Sequence, residues 1–139
     1  MELNWEHGVA WIPGLETGYA DIDDQHKRLF KLMSDLIGSF QAGEKVAVDE
    51  ALAFLVNYTL EHFSDEENIA QAYAYPGSGN HRKMHDDFTR TVRGFVRQYE
   101  KNGNAEELLA AVTKVVIKWV IGHIRNEDIK IAMHIKKLN

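Results

Sequence analysis

The chain has 139 residues, enough for one hydrophobic core, so we expect a single domain over residues 1–139. Its 45% hydrophobic and 27% charged residues exclude a disordered chain. A formal net charge of −5 without a basic cluster argues against nucleic-acid binding. Because the chain contains no cysteine, disulfide bonds and thiolate-bound metals are excluded, and any metal must be held by nitrogen and oxygen.

The segments that could direct the chain to a membrane lack the necessary pattern. Residues 1–14 are acidic and aromatic, whereas a secretory signal needs a basic end followed by an apolar run. The most apolar stretch, residues 108–124, contains Lys114 and Lys118, which are costly at bilayer depth, and it is short for a membrane span. We therefore expect a cytoplasmic protein with no membrane insertion.

Residues 1–18 show neither a helical nor a strand period, which predicts an irregular N-terminal arm whose tryptophans, Trp5 and Trp11, cover the bundle. Apolar residues then recur at steps of three and four, with aspartates at the first turn, and predict a helix over residues 20–41. Further helical stripes span residues 48–73, 81–99 and 108–123, and the last continues as a short C-terminal helix through residue 135. Short loops between these helices predict an all-α, antiparallel up-down-up-down four-helix bundle over residues 19–139.

Five of the seven histidines take positions on the apolar stripes, so that each helix turns at least one imidazole inward. These histidines are His26, His62, His81, His85 and His123. Glu66 lies one helical turn after His62, and no lysine or arginine occupies an inward position to neutralise it. A hydrogen-bonded histidine core without metal is the alternative, but it would leave this carboxylate unpaired. The pattern therefore predicts a buried metal site.

The number and type of donors indicate which metal the site would hold. Five imidazoles and two carboxylates exceed what one ion can use, which favours two ions bridged by the carboxylates. The nitrogen-rich mixture favours iron over zinc, magnesium or manganese. The second carboxylate stays open at this point, because Glu127 shares a regular helical face with His123, whereas Asp128 does so only if the helix loosens around Arg125 and Asn126.

These residues resemble those of the hemerythrin family over almost the whole chain. The matching positions are Trp11, Tyr19, Asp23-x-Gln25-His26-Lys27-x-Leu29-Phe30, His62-Phe63-x-x-Glu66-Glu67, Tyr75-Pro76, His81-x-x-x-His85 and Trp119-x-x-x-His123-Ile124-x-x-x-Asp128. The match is specific because seven ligand positions occur in the correct order and spacing. Proteins of this family are a known example of the up-down-up-down bundle, and the resemblance selects Asp128 over Glu127.

The resemblance implies a non-haem di-iron centre. One iron would be held by His81, His85 and His123 and the other by His26 and His62, with Glu66, Asp128 and an oxo or hydroxo bridge between them. It also implies reversible binding of dioxygen, as hydroperoxide, at the open position of the second iron. The protein would then be a monomeric carrier, store or delivery protein and not an enzyme, with a reductase or an oxygen-consuming enzyme as partner.

A dry pocket beside this position is expected from Phe30, Val120 and Ile124. Val120 stands where many family members have leucine, and Gly122 directly precedes a ligand, so we expect a roomier pocket. The alternatives to a carrier are a di-iron oxidase or peroxidase, a nitric oxide scavenger and an oxygen sensor. His7 and His134 match no ligand position and are expected to be surface residues.

Overall fold

The computed structural model describes Trp11 and residues 14–138. Its helices are α1 (Ala20–Ala42), α2 (Lys45–Ala72), α3 (Ser78–Asn102), α4 (Ala105–Ala111), α5 (Ile117–His123) and α6 (Ile129–Lys137). The π-helical segments Val112–Val116 and Ile124–Asp128 join α4 to α5 and α5 to α6, so that residues 105–137 form one continuous fourth rod. No strand occurs among the described residues, and the predicted all-α class is confirmed.

Contacts between helices show that neighbouring helices run antiparallel. Near the start of α1, the amide of Gln25 lies 3.4 Å from Asp65 late in α2. Near the start of α2, Asp49 accepts a hydrogen bond of 3.0 Å from Tyr99 late in α3. The fourth rod packs against α3 and α1 through α4. The predicted four-helix bundle is therefore formed, with short loops between its rods.

The helix ends follow local stop signals in the sequence. Gly43 ends α1 with φ +72°, in the left-handed region, and its N–H donates to the carbonyls of Ser39 and Phe40. At the start of α4, the side chain of Asn104 accepts a hydrogen bond of 3.1 Å from the Glu107 N–H. These signals end one helix and start another within a few residues, which lets the chain reverse direction.

Replacing Gly94 by alanine tests how much the backbone freedom of a glycine within a helix costs in stability. It lies inside α3, and a methyl group added there would meet no atom within 4 Å. Gly94→Ala is therefore expected to stabilise the protein by about 0.5–1 kcal/mol, because alanine loses less backbone entropy on folding. The control Gly43→Ala is expected to destabilise it, because alanine is strained at φ +72°. Urea denaturation measures both, and equal effects of the two changes would contradict this account.

The hydrophobic core is divided into two clusters with a polar layer between them. The smaller cluster consists of Ile22, Ala70, Ile131 and Ile135. The larger cluster contains Leu29 from α1, Phe63 from α2 and Ile124 from the fourth rod, among others. Along each of these rods, a polar residue lies between the member of the smaller cluster and the member of the larger one. The polar layer is thus sealed from water on both sides by apolar side chains.

The described part of the N-terminal arm covers the larger cluster. Trp11 is half-buried and meets the ring of Phe30 edge-on, with ring centroids 5.2 Å apart. Its indole Nε1 donates a hydrogen bond of 2.9 Å to Glu16. Trp5, the other tryptophan expected to cover the bundle, lies outside the described residues. Among the described helices, none is long and apolar enough to cross a membrane.

Candidate metal centre

The polar layer holds almost all of the buried polar side chains in the described part of the chain. The buried polar and charged residues are Asp23, His26, His62, Glu66, His81, His85, His123 and Asp128. Seven of them are the ligands expected from sequence. Asp23 serves the arm instead, since its carboxylate accepts hydrogen bonds from the Thr17 N–H at 2.8 Å, the Thr17 hydroxyl at 2.7 Å and the Gly18 N–H at 3.2 Å.

One group within this layer contains three imidazoles. His123 Nε2 lies 3.1 Å from His85 Nε2 and 3.2 Å from His81 Nε2. Glu66 Oε1 lies 2.5 Å from His81 Nε2 and 3.2 Å from His85 Nε2. Asp128 Oδ1 is 3.0 Å from both His81 Nε2 and His123 Nε2. Five donor atoms from three rods therefore converge on one point.

A second group contains two imidazoles and uses the other oxygen of each carboxylate. His26 Nε2 lies 3.0 Å from Asp128 Oδ2 and 3.5 Å from Glu66 Oε2. His62 Nε2 lies 3.3 Å from the same Glu66 Oε2. Donor atoms of the four residues lie within 4.8 Å of one another, as do those of the first group. Glu66 and Asp128 thus belong to both groups and link them.

The position of Asp128 depends on the π-helical segment Ile124–Asp128. In a regular helix five residues turn through about 500°, whereas a π-helix closes its hydrogen bonds five residues apart and so brings Asp128 back beneath His123. Asp128 is 1% exposed. Glu127 is only half-buried, and its carboxylate lies 3.6 Å from Lys130. The helix is therefore loosened around Arg125 and Asn126, as a ligand role for Asp128 requires.

Hydrogen bonds behind two of the imidazoles set which nitrogen faces the layer. His62 Nδ1 donates to Gln25 Oε1 at 2.7 Å, and His85 Nδ1 donates to Glu67 Oε2 at 3.0 Å. With Nδ1 as the donor, Nε2 keeps a free lone pair directed inward. Gln25 and Glu67 were not expected to have a role, although both stand next to a ligand in the quoted motifs.

Aromatic rings hold the three-histidine group from behind. Phe63 stacks on His85 with centroids 3.9 Å apart and an interplanar angle of 4°. Trp119 stacks on His123 at 4.3 Å and on Phe88 at 3.8 Å. Such stacking restricts rotation of the imidazoles and keeps bulk water away from them. The ring orientations are therefore held by packing as well as by hydrogen bonds.

Two features indicate that the layer fits metal ions. Buried atoms of His26, His81, Glu66 and Asp128 lack a hydrogen-bond partner, although His26 Nε2 is close to both carboxylates. Such unpaired buried groups are costly unless a cation satisfies them. In addition, nitrogens about 2.1 Å from one ion are about 3.0 Å apart at right angles and about 3.4 Å apart in a tetrahedron. The spacings of 3.1 and 3.2 Å between imidazoles lie between these values.

The two carboxylates of the layer raise the pKa of two of its imidazoles. Burial lowers the pKa of His26, but the carboxylates of Asp128 and Glu66 outweigh burial and raise it to about 9. The pKa of His81 is raised to about 9 by the same two carboxylates against the effect of burial. Burial raises the pKa of Glu66, yet contacts with histidines hold it well below its usual value. A metal ion must displace protons from these imidazoles, so metal affinity weakens as the pH falls.

The other residues singled out by sequence lie outside the two groups. Phe30, Val120 and Ile124 are buried in the larger hydrophobic cluster. Val120 also lines an apolar cavity of about 40 Å³, and the dry pocket expected from these residues and their neighbours stays a prediction. His134, expected at the surface, is half-buried and donates a hydrogen bond of 2.8 Å to the Tyr73 carbonyl. His7 lies outside the described residues.

A four-helix bundle with two linked histidine and carboxylate groups in its core defines a helical cation-binding domain. The sequence model of the family described as "Hemerythrin HHE cation binding domain" matches residues 17–135. The chain therefore belongs to the hemerythrin family.

Curated relatives agree with this assignment. The chain is 32% identical over 120 residues to a bacteriohemerythrin of Pseudomonas aeruginosa (strain LESB58), covering 86% of this chain and 76% of the relative. It is 32% identical over 120 residues to a myohemerythrin of Theromyzon tessulatum, covering 86% and 88%. A bacteriohemerythrin of Stenotrophomonas maltophilia (strain R551-3) is 26% identical over 128 residues, with 92% and 82% covered. The similarity spans most of each relative, so it concerns the whole bundle.

Proposed function

We propose that this chain, as a single domain over residues 1–139, binds dioxygen reversibly at two iron ions. The ligands would be His81, His85 and His123 for one ion and His26 and His62 for the other, bridged by Glu66 and Asp128. The observation that carries the proposal is the unequal division of five imidazoles around two shared carboxylates. The iron pair, when bound, supplies an open coordination position on the two-histidine side and the electrons with which dioxygen is held.

The residues of the chain position the ions and exclude water. Glu66 and Asp128 each offer one oxygen to each group, which keeps the ions adjacent. The apolar clusters on both sides of the polar layer limit access of water and protons. Leu29, Thr59 and Val120 line the apolar cavity, and each stands three residues from a ligand. The cavity thus lies about one helical turn from the centre, where a small apolar gas is accommodated more easily than an ion.

The donor set also supports a carrier over an enzyme. Di-iron proteins of the ferritin-like kind use a glutamate from each of two helices and a Glu-x-x-His pair from each of the others. The present layer contains five imidazoles and two carboxylates, so it carries less negative charge to stabilise highly oxidised iron. We therefore propose a cytoplasmic, monomeric carrier, store or delivery protein, whose partner is a reductase or an oxygen-consuming enzyme.

The test of this function is reversibility. The metal-free protein is loaded with ferrous iron under argon, its iron content is measured by elemental analysis, and oxygen and argon are then alternated while visible spectra are recorded. We expect two irons per chain and an absorption band that appears with oxygen and disappears under argon over many cycles. Irreversible oxidation in the first cycle, with turnover of an added substrate, would instead support the oxidase or peroxidase alternative.

Val120→Leu is expected to slow autoxidation several-fold. Val120 is buried and lines the apolar cavity one turn before His123, so one more methylene would fill space that water can otherwise enter. Stopped-flow spectroscopy of the oxygenated protein measures the rate. The matched control is Val96→Leu, which makes the same change in the part of the cavity wall that α3 contributes. It is expected to change the autoxidation rate less. An unchanged or faster rate in Val120→Leu would contradict the role of this residue.

A further inference from the structure

The two metal positions differ in the groups that stand behind their imidazoles. On the three-histidine side, His85 Nδ1 donates to the carboxylate of Glu67 at 3.0 Å. On the two-histidine side, His62 Nδ1 donates to the amide oxygen of Gln25 at 2.7 Å. The same ring nitrogen is thus bonded to a charged acceptor on one side and to a neutral acceptor on the other.

Each acceptor also lies close to a further charged residue. The other oxygen of Glu67 lies 3.6 Å from Arg82 Nε. The amide nitrogen of Gln25 lies 3.4 Å from Asp65 Oδ2. Glu67 and Gln25 are both half-buried, in contrast to the exposed Arg82 and Asp65. Two short relays therefore run from the ligands to the surface, and they differ in the charge of the group next to the imidazole.

The charge of that group changes how strongly an imidazole donates to a metal. An Nδ1–H bonded to a carboxylate shifts electron density onto the ring and raises the basicity of Nε2, which stabilises a more oxidised ion. An amide oxygen does so to a smaller extent because it carries no net charge. The effect is transmitted efficiently, because His85 is buried and stacked on Phe63 in surroundings of low dielectric constant.

We propose that Glu67 and Gln25 are positioning residues that make the two iron positions electronically unequal, with the three-histidine position the more easily oxidised. This inference rests on the proposed di-iron function and adds its regulation. Glu67 would thereby make it easier for the iron at the three-histidine position, which dioxygen does not contact, to give up an electron. Gln25 offers the His62 imidazole a neutral acceptor, so the iron at the two-histidine position is the harder of the two to oxidise.

The experiment is anaerobic redox titration of the iron-loaded protein with optical detection, which requires no oxygen binding. Glu67→Gln preserves the shape of the side chain and removes its charge. We expect it to raise the reduction potential of the lower-potential step by about 59 mV, which favours the reduced form about tenfold. Gln25→Glu adds the charge on the other side, and we expect an opposite shift of about the same size in the higher-potential step. The gap between the two steps then narrows in both variants.

Two further variants separate this role from a purely structural one. Arg82→Gln removes the exposed positive charge near the Glu67 carboxylate. The reduction potential of the lower-potential step is therefore expected to fall slightly. Asp86→Asn removes an exposed carboxylate next to His85 in sequence and is expected to shift neither step measurably. Opposite shifts in Glu67→Gln and Gln25→Glu support the proposal. Shifts of the same sign, or shifts no larger than that of Asp86→Asn, overturn it.

The wild-type protein distinguishes failure of this inference from failure of the proposed function. If it holds two irons and cycles with oxygen while the variants show the wrong pattern of potentials, the carrier function stands and the asymmetry is rejected. If the wild-type protein holds no pair of irons, both fail together.

Discussion

His62→Ala is expected to lower iron content and thermal stability together. The side chain is buried and supplies one of only two imidazoles in its group, so its loss leaves His26 and the shared carboxylates to hold the second ion. A metal present at 100 times its dissociation constant stabilises the folded state by about 2.7 kcal/mol. Losing that contribution is expected to lower the melting temperature by about 10 °C in a domain of this size. Elemental analysis and calorimetry of the same samples measure both quantities.

His134→Ala is the matched control for this experiment. His134 is half-buried, donates one hydrogen bond to the Tyr73 carbonyl and belongs to neither group in the polar layer. Its replacement is expected to lower the free energy of unfolding by about 1 kcal/mol and to leave the iron content unchanged. A His62→Ala protein that retains two irons and the melting temperature of the wild type would remove His62 from the site.

Asp128→Asn is expected to reduce iron affinity by at least about 100-fold, the upper end of the range for changes beside a metal. The amide keeps the size of the side chain but replaces one anionic oxygen with an NH₂ group, which cannot bridge two cations. It would also place that donor against the three-histidine group or against His26. Iron retention in competition with a chelator of known affinity measures the loss.

Glu127→Gln is the control that decides between neighbouring residues. Glu127 contacts Lys130 and contributes to neither metal-binding group, so its replacement is expected to leave iron affinity unchanged. If Glu127→Gln released iron and Asp128→Asn did not, the carboxylate ligand would be the one that a regular helix places below His123, and the π-helical segment would have no functional role.

Much of the fold could be predicted because its signals are local. The first helix was expected over residues 20–41 and spans Ala20–Ala42, since the apolar spacing and Gly43 are both readable within a few residues. The inward direction of the histidines follows from the same spacing. By contrast, the hydrogen bonds from His62 to Gln25 and from His85 to Glu67 could not be predicted, because each joins two helices whose separation is set by packing.

The sequence by itself determined that imidazoles from four helices, together with Glu66, turn into one bundle core. The family resemblance already implied a division into groups of three and two, whereas only the tertiary structure decided that Gln25 and Glu67 stand behind different ligands. It also provided the π-helical turn beneath His123 that brings Asp128 into the layer. The physical reason is range: helical periodicity acts over a few residues, whereas distances between rods are set when distant apolar faces pack together.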